Sequence, residues 1–415
     1  MFALRFYAIP LAMGALGLLA GCSGTSSANA PSGILPQAPA VSQPRTAQRI
    51  KKSVQIEQVL HAFGASSTDG MWPYSGLVYV GGTLYGTTSQ SGSGGPEGGT
   101  FYSITPSGSY NVLYSFGTSP TDGEEPYAAP IEVGGLFYGT CSTFGAGPGQ
   151  GTVYKMTTSG TETVIHNFAG GTGDGSVPLA GLANIGSTLY GVTDLGGTDN
   201  LGVVFKITSS GKESVIHSFT GGSDGEHPGY GGLVDIKGTL YGTTPEGGTG
   251  GGGIAFSITP SGSEKVLHSF AGGSDGAQPN ANLLYANGIL YGTTKDGGTS
   301  GDGTIFSITT SGTEKVLYSF VGSPLDGQVP QGGLILVNGI FYGTTEIGGA
   351  SGNGVIYGMT NNGQEFALYS FAGGSDGSEP YGQLVNVGGT LYGATYQGGD
   401  GSVSPNSGTV FSFTP

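Results

Sequence analysis

Ile289-Leu290-Tyr291-Gly292-Thr293-Thr294, with Gly297-Gly298 behind it and Gly303-Thr304-Ile305-Phe306-Ser307-Ile308-Thr309 following, is one of seven variants of a single unit. Its Tyr-Gly pair falls at Tyr85, Tyr138, Tyr190, Tyr241, Tyr291, Tyr342 and Tyr392, at steps of 53, 52, 51, 50, 51 and 50 residues. A period that regular defines a repeat architecture before any local motif is weighed. Gly makes up 86 of the 415 residues. The glycines recur at fixed places beside Leu, Val, Ile, Tyr and Phe, so they read as turn residues of a packed all-β fold, not as low-complexity sequence.

Working outward, each unit holds four β-like runs, as the fourth copy shows. Gly232-Leu233-Val234-Asp235-Ile236 is strand A, and Lys237-Gly238 turns into strand B, Thr239-Leu240-Tyr241-Gly242-Thr243-Thr244. A Gly-rich loop, 245–253, leads to strand C, Ile254-Ala255-Phe256-Ser257-Ile258-Thr259. Pro260-Ser261-Gly262 then turns into strand D, Glu264 to Phe270. The A–B turns read Gly-Gly, Gly-Ser, Lys-Gly or Asn-Gly, as two-residue hairpins with positive φ require. Four antiparallel strands per ~50 residues make the blade of a β-propeller, and kelch-type blades have about that period. The blades are placed at about 74–116, 126–168, 178–219, 228–270, 279–320, 330–371 and 381–415. The last ends on a C-type run, Thr409–Thr414, while the first recognisable run, 54–63, is D-type. Residues 54–63 are therefore expected to complete the final blade as its outer strand.

The recurring Leu-Tyr-Gly-Thr-Thr…Gly-Gly…Gly-Thr-Val-Phe-Ser-Ile-Thr-Pro-Ser-Gly pattern resembles the GloVer tandem repeat of bacterial choice-of-anchor secreted proteins. It covers about residues 54–415, with small departures at Gly191-Val192-Thr193 and Thr140-Cys141. The resemblance implies architecture and export, and no catalytic activity or fixed ligand.

Residues 1–21 read as a secretory signal, with Arg5 in a short n-region and an apolar run from about Ala8 to Ala20. That run is too short to span a bilayer. Leu19-Ala20-Gly21-Cys22 matches the lipobox of bacterial lipoproteins, which implies lipidation of Cys22 and a membrane anchor. Ser23 favours outer-membrane sorting. Residues 22–53, rich in Ala, Ser, Pro, Gln and Gly, read as a flexible tether.

Arg5, Arg45, Arg49, Lys51 and Lys52 all precede the repeats, which are left with seven Lys/Arg against all 27 Asp/Glu, a formal charge of −20. Nucleic acid binding needs the opposite sign. With strands alternating in direction, the short A–B and C–D turns share one face and the long B–C and D–A loops the other. Nineteen acids fall in the long loops, joined there only by Lys295 among the basic residues of the repeats. That face is the default binding surface and gathers cations and cationic ligands.

Seven of those acids form an Asp-Gly series: Asp69, Asp122, Asp174, Asp224, Asp275, Asp326 and Asp376. As a ring they suggest Ca²⁺ or a basic ligand, but Asp before Gly also builds the turn each D–A crossing needs. Gly221-Gly222-Ser223-Asp224-Gly225 fits a nucleophile-elbow pattern, as do Gly272–Gly276 and Gly373–Gly377, yet no helix follows and the other four copies have Thr68, Thr121, Gly173 or Leu325 in place of the Ser. His61, His166, His217 and His268 share a strand-D position held elsewhere by Tyr114, Tyr318 and Tyr369, which points to packing or hydrogen bonding. His227 is the one histidine placed at the acidic face. Cys141 reads as a buried free thiol. Trp72, Tyr74, Tyr127, Tyr230 and Tyr381 lie near the ends of D–A loops. They either offer sugars a stacking surface at a channel mouth or, the favoured expectation, fill gaps between blades.

These features lead to the expectation of an exported, surface-anchored, monomeric lipoprotein whose propeller binds a glycan or protein ligand without a cofactor. A carbohydrate-active enzyme working through acids such as Glu124, Glu125, Glu226 or Glu379 is the alternative. A structural surface protein is the third reading.

Overall fold

The computed structural model describes residues 56–95, 97–146, 149–324, 326–401, 404 and 406–415. The expectations for the signal, Cys22 and the tether lie outside these residues, as do positions 54 and 55. The described chain forms seven four-stranded antiparallel sheets, each ordered A-B-C-D from the axis outward. Blade 1 comprises Val78–Val80, Thr83–Thr88, Thr100–Ile104 and Tyr110–Ser115. Blade 7 takes Val385–Val387, Thr390–Thr395 and Thr409–Thr414 from the end of the chain and Ile56–Ala62 from its start. Ile56–Ala62 pairs with Thr409–Thr414, so the ring closes as expected.

The local chemistry accounts for the strands. Six of the seven A–B turns place both central residues at positive φ, as at Asn287 (53°) and Gly288 (84°), giving the twist a two-residue hairpin needs. Strand A starts two residues later than expected in blade 4, at Val234. Gly232 ahead of it instead donates its N–H across to Asn282 Oδ1 of blade 5, at 2.6 Å. Near the axis the blades come very close: a Cβ on Gly382 of blade 7 would lie 2.5 Å from Ser75 O of blade 1. Only glycine fits that seam.

The core lies between blades, in seven wedges. The Phe that follows each strand D (Phe63, Phe116, Phe168, Phe219, Phe270, Phe320, Phe371) is fully buried. Each meets a strand-C aromatic ring of the next blade at centroid distances of 5.0–5.4 Å, tilted or edge-on. Such pairs add about 0.5–1.5 kcal/mol each beyond burial. The C–D pairing of every blade carries one bulge, as between Val153 and Tyr154 opposite strand D. A bulge re-aims the following side chain. Here it sets the strand-D His or Tyr toward the next blade. Two-residue ribbons also join D–A to B–C loops, as in Gly70–Met71 with Gln90–Ser91. Patterning gave no sign of them.

Candidate functional site

The Asp-Gly series does not converge. Each carboxylate is held at the outer rim by the strand-D His or Tyr of its own blade: His61–Asp69, Tyr114–Asp122, His166–Asp174, His217–Asp224, His268–Asp275, Tyr318–Asp326 and Tyr369–Asp376, at 2.6–3.4 Å. In six blades the same Asp also accepts a backbone N–H four or five residues upstream, from Ala65, Ala169, Thr220, Ala271, Val321 or Ala372. His and Tyr interchange because both present a polar group to this Asp: the tyrosines, His61, His166 and His268 hydrogen-bond it, and His217 Nε2 lies 3.3 Å from Asp224 as an ion-pair contact. These aspartates latch the D–A crossing. Among the described residues, His166, Asp174 and Glu213, and likewise His268, Asp275 and Glu314, have ligand atoms within 4.8 Å of one another. Three protein atoms apiece are half or fewer of the oxygens Ca²⁺ takes, so neither set is assigned to a metal. Ser223 lies exposed in a single 3-10 turn, without the strand-to-helix elbow of a nucleophile. Cys141 is buried and free, and burial pushes its thiol well up.

The positions that do converge are set by a proline. Pro73, Pro126, Pro178, Pro228, Pro279, Pro330 and Pro380 end the D–A crossings. The residue before each (Trp72, Glu125, Val177, His227, Gln278, Val329, Glu379) lies in the left-handed region, with φ of 56–59°. A proline disfavours the helical region for the residue before it, and side chains other than Gly, Asn and Asp seldom adopt positive φ. Tertiary hydrogen bonds impose it. Each of these N–H groups donates to a B–C loop carbonyl of the preceding blade, as from His227 to Leu201 (2.9 Å) and from Trp72 to Ser407 (2.8 Å). The pre-proline residue's own carbonyl, in six of the seven copies, accepts from the N–H of the residue after strand B of its blade; in blade 4 that residue is Pro245, which has none. Each pre-proline residue thus joins two blades at the axial end of the long loops.

The residue after the proline, or in blade 4 the second after it, lines the axis itself. Tyr74, Tyr127, Leu179, Tyr230, Asn280, Gln331 and Tyr381 surround a cavity of about 130 Å³. Tyr74 stacks on Tyr381 at 4.5 Å and on Tyr230 at 5.6 Å, and meets Tyr127 edge-on at 5.4 Å. Tyr396 abuts Tyr381 at 5.3 Å and Trp72 at 5.9 Å. The aromatics therefore gather at the axial mouth. The favoured expectation that they fill gaps between blades is corrected by this placement: the inter-blade gaps are taken by the strand-D phenylalanines. Tyr396 escaped sequence reasoning because its counterparts are Ser, Asp, Pro, Lys and Glu. The pre-proline ring was legible in the spacing of the prolines.

Carboxylates rim the tyrosines. Burial, then the neighbouring Glu97, raises Glu125 against its bond from Ser142. Burial, then Glu346, raises Glu379. Glu346 accepts from the Gln331 amide. His227 Nδ1 lies 3.0 Å from the Asp194 carbonyl and 3.6 Å from its carboxylate. Asp194 raises the imidazole to about 9. The mouth is an aromatic floor under partly desolvated acids, with His227 and Lys295 as its cations.

This is a closed seven-bladed propeller whose divergent side chains surround one axial mouth. The chain belongs to the Gloeobacter/Verrucomicrobia repeat family, whose repeat matches residues 45–256, 93–301 and 229–415. No curated protein matches it in sequence. Among solved structures it is similar to puromycin hydrolase, in a structure of the S511A mutant complexed with PGG (TM-score 0.53) and in a second structure of puromycin hydrolase (0.51). Both are 11% identical and cover 80% of this chain and 53% of theirs, so the chain spans about half the hydrolase's length. A putative 6-phosphogluconolactonase of Bacteroides fragilis is 17% identical, with a TM-score of 0.47 over 77% of this chain and 88% of its own. At these identities the likeness is one of fold.

Proposed function

We propose that the protein is an exported lipoprotein, anchored through lipid on Cys22, whose propeller captures a ligand at the axial mouth without turning it over. The pre-proline ring carries this reading. Seven copies keep one strained backbone geometry yet vary the side chain it displays, and glycine, which would relieve the strain, is used in none. Strain retained at a convergent, chemically varied surface is a mark of function, whereas the repeated strands account for the fold.

The mouth suits a ligand presenting an ammonium or guanidinium group, alone or on a glycan or peptide. Tyrosine faces attract cations, and the partly buried Glu125 and Glu379 gain from a positive neighbour. An enzyme reading has one observation behind it, the His227–Asp194 pair. A general base works best with a pKa near the operating pH. At about 9, His227 is protonated at neutral pH and serves as a cation.

An array of glycans, peptidoglycan fragments and basic peptides tests the proposal. Binding that Glu379→Gln and Tyr381→Ala each weaken at least ~10-fold, with no turnover of the bound compound, is the expected result. Hydrolysis of a hit, lost in His227→Ala, would reassign the protein as an enzyme. Cell fractionation of Cys22→Ala tests the anchor, and a variant still in the membrane fraction rules the lipid out.

A further inference from the structure

Away from the mouth, the outer rim repeats one arrangement of ionisable groups at every junction between blades. The Asp latched by a strand-D His or Tyr faces the residue near the start of strand D in the next blade. At six junctions that residue is glutamate: Glu57, Glu162, Glu213, Glu264, Glu314 or Glu365. Each has a buried Oε1 without a hydrogen-bond partner. In two of these crevices the His, Asp and Glu atoms lie within 4.8 Å of one another. Glu57, in the strand that closes the ring, meets Tyr369 and Asp376 of blade 6 in the same way.

Two facing carboxylates, partly withdrawn from water, repel strongly if both are ionised. No lysine or arginine relieves them: the ion pairs among the described residues are all His–Asp. The other groups that face these crevices are His166 toward Glu213, His217 toward Asp224 and His268 toward Asp275. Tyr154, Cys141, Tyr114 and Glu124 face the Asp122–Glu162 pair. Tyr318, Tyr357 and Asp302 face Asp326 and Glu365.

The seventh junction shows what the position requires. There Tyr110 replaces the glutamate, its phenol donates to Asp69 Oδ1 at 2.8 Å, and its ring stacks on His61 at 3.7 Å. The residue facing the latch is a proton donor. Glutamate can donate only as the neutral acid.

We propose that each of the six crevices is a proton-binding site, in which a carboxylic acid of Glu donates to the latch Asp, and that Tyr110 is a permanent version of the same donor. The titration behaviour agrees. Burial, then the facing Asp, raises Glu57, Glu162, Glu213, Glu264 and Glu314 to about 7, and Glu365 to about 8. Where Tyr110 stands instead, burial pushes Asp69 up, but the His61 and Tyr110 hydrogen bonds outweigh it and hold Asp69 below its usual value.

For an acid whose pKa is raised by folding, the folded state binds the extra proton. The stabilisation is complete below the ordinary value of 4.5 and is lost as pH rises through about 7. The test is a carboxyl-carbon NMR titration of the full chain, with thermal unfolding across the same pH range, with and without EDTA. Five Glu signals titrating near 7 and a sixth near 8, one removed by each Glu→Gln variant, are expected. So is a Tm that falls from mildly acidic to neutral pH, less steeply in Glu314→Gln. Glu signals that all titrate below about 5, or a Tm flat over that range, overturn the proposal. A Tm at neutral pH that EDTA lowers and Ca²⁺ restores overturns it too, by giving the crevices to a metal ion. The wild-type titration decides even if a variant fails to fold.

Discussion

Val177 and Val329 are β-branched residues held at φ 57° and 58°, each followed by proline. Such a conformation costs about 1–3 kcal/mol, and glycine would remove most of it while adding chain entropy to the unfolded state. Val177→Gly is therefore expected to leave stability unchanged or raise it by up to about 1 kcal/mol, measured by chemical denaturation. The same replacement at Glu379 or Trp72 is expected to weaken ligand capture while sparing the fold. At this scale the sequence disclosed the role of the Tyr-Gly pairs and the His/Tyr interchange, because both recur at one register. It offered Tyr74, Tyr127, Tyr230 and Tyr381 as a channel-mouth surface in one of two readings, but not their mutual stacking, which arises only when blades 1, 2, 4 and 7 meet around the axis.

The latch works at the scale of the crossing between strand D and the next blade. His268 and Tyr318 fill one structural position and donate to Asp275 and Asp326. His268→Tyr is expected to change stability by less than about 1 kcal/mol. His268→Leu, which leaves Asp275 short of a donor, should cost about 1–3 kcal/mol in a thermal or urea melt. Equal costs for the two would sever the latch from stability. Four strands per unit and their order were legible because period-2 runs and Gly-bearing turns repeat seven times. The bulge was not, since one extra residue in strand D leaves the apolar pattern intact and shows only in the pairing. The two-residue ribbons were too short to carry any pattern.

Closure is a property of the whole ring, and it was legible in the ends of the chain: a lone D-type run first, a missing one last. Six residue pairs join Ile56–Ala62 to Thr409–Thr414, and Phe63 fills the wedge between blades 7 and 1. Deleting residues 56–62 exposes an edge strand along blade 7 and removes Glu57 from the blade 6 crevice. The expected outcome is loss of a single cooperative unfolding transition, read by calorimetry; an unchanged Tm would show that the ring does not depend on its N-terminal strand. The same strand has a mechanical consequence. Ile56 pairs with Thr414, at the short-turn end of blade 7, whereas the axial mouth opens at the long-loop end. In a chain tethered through the residues before Ile56, a ligand held at the mouth pulls against the tether roughly along the closing strand. The load then falls in shear on the whole ladder at once, so the seam that closes the propeller is also the joint that resists force.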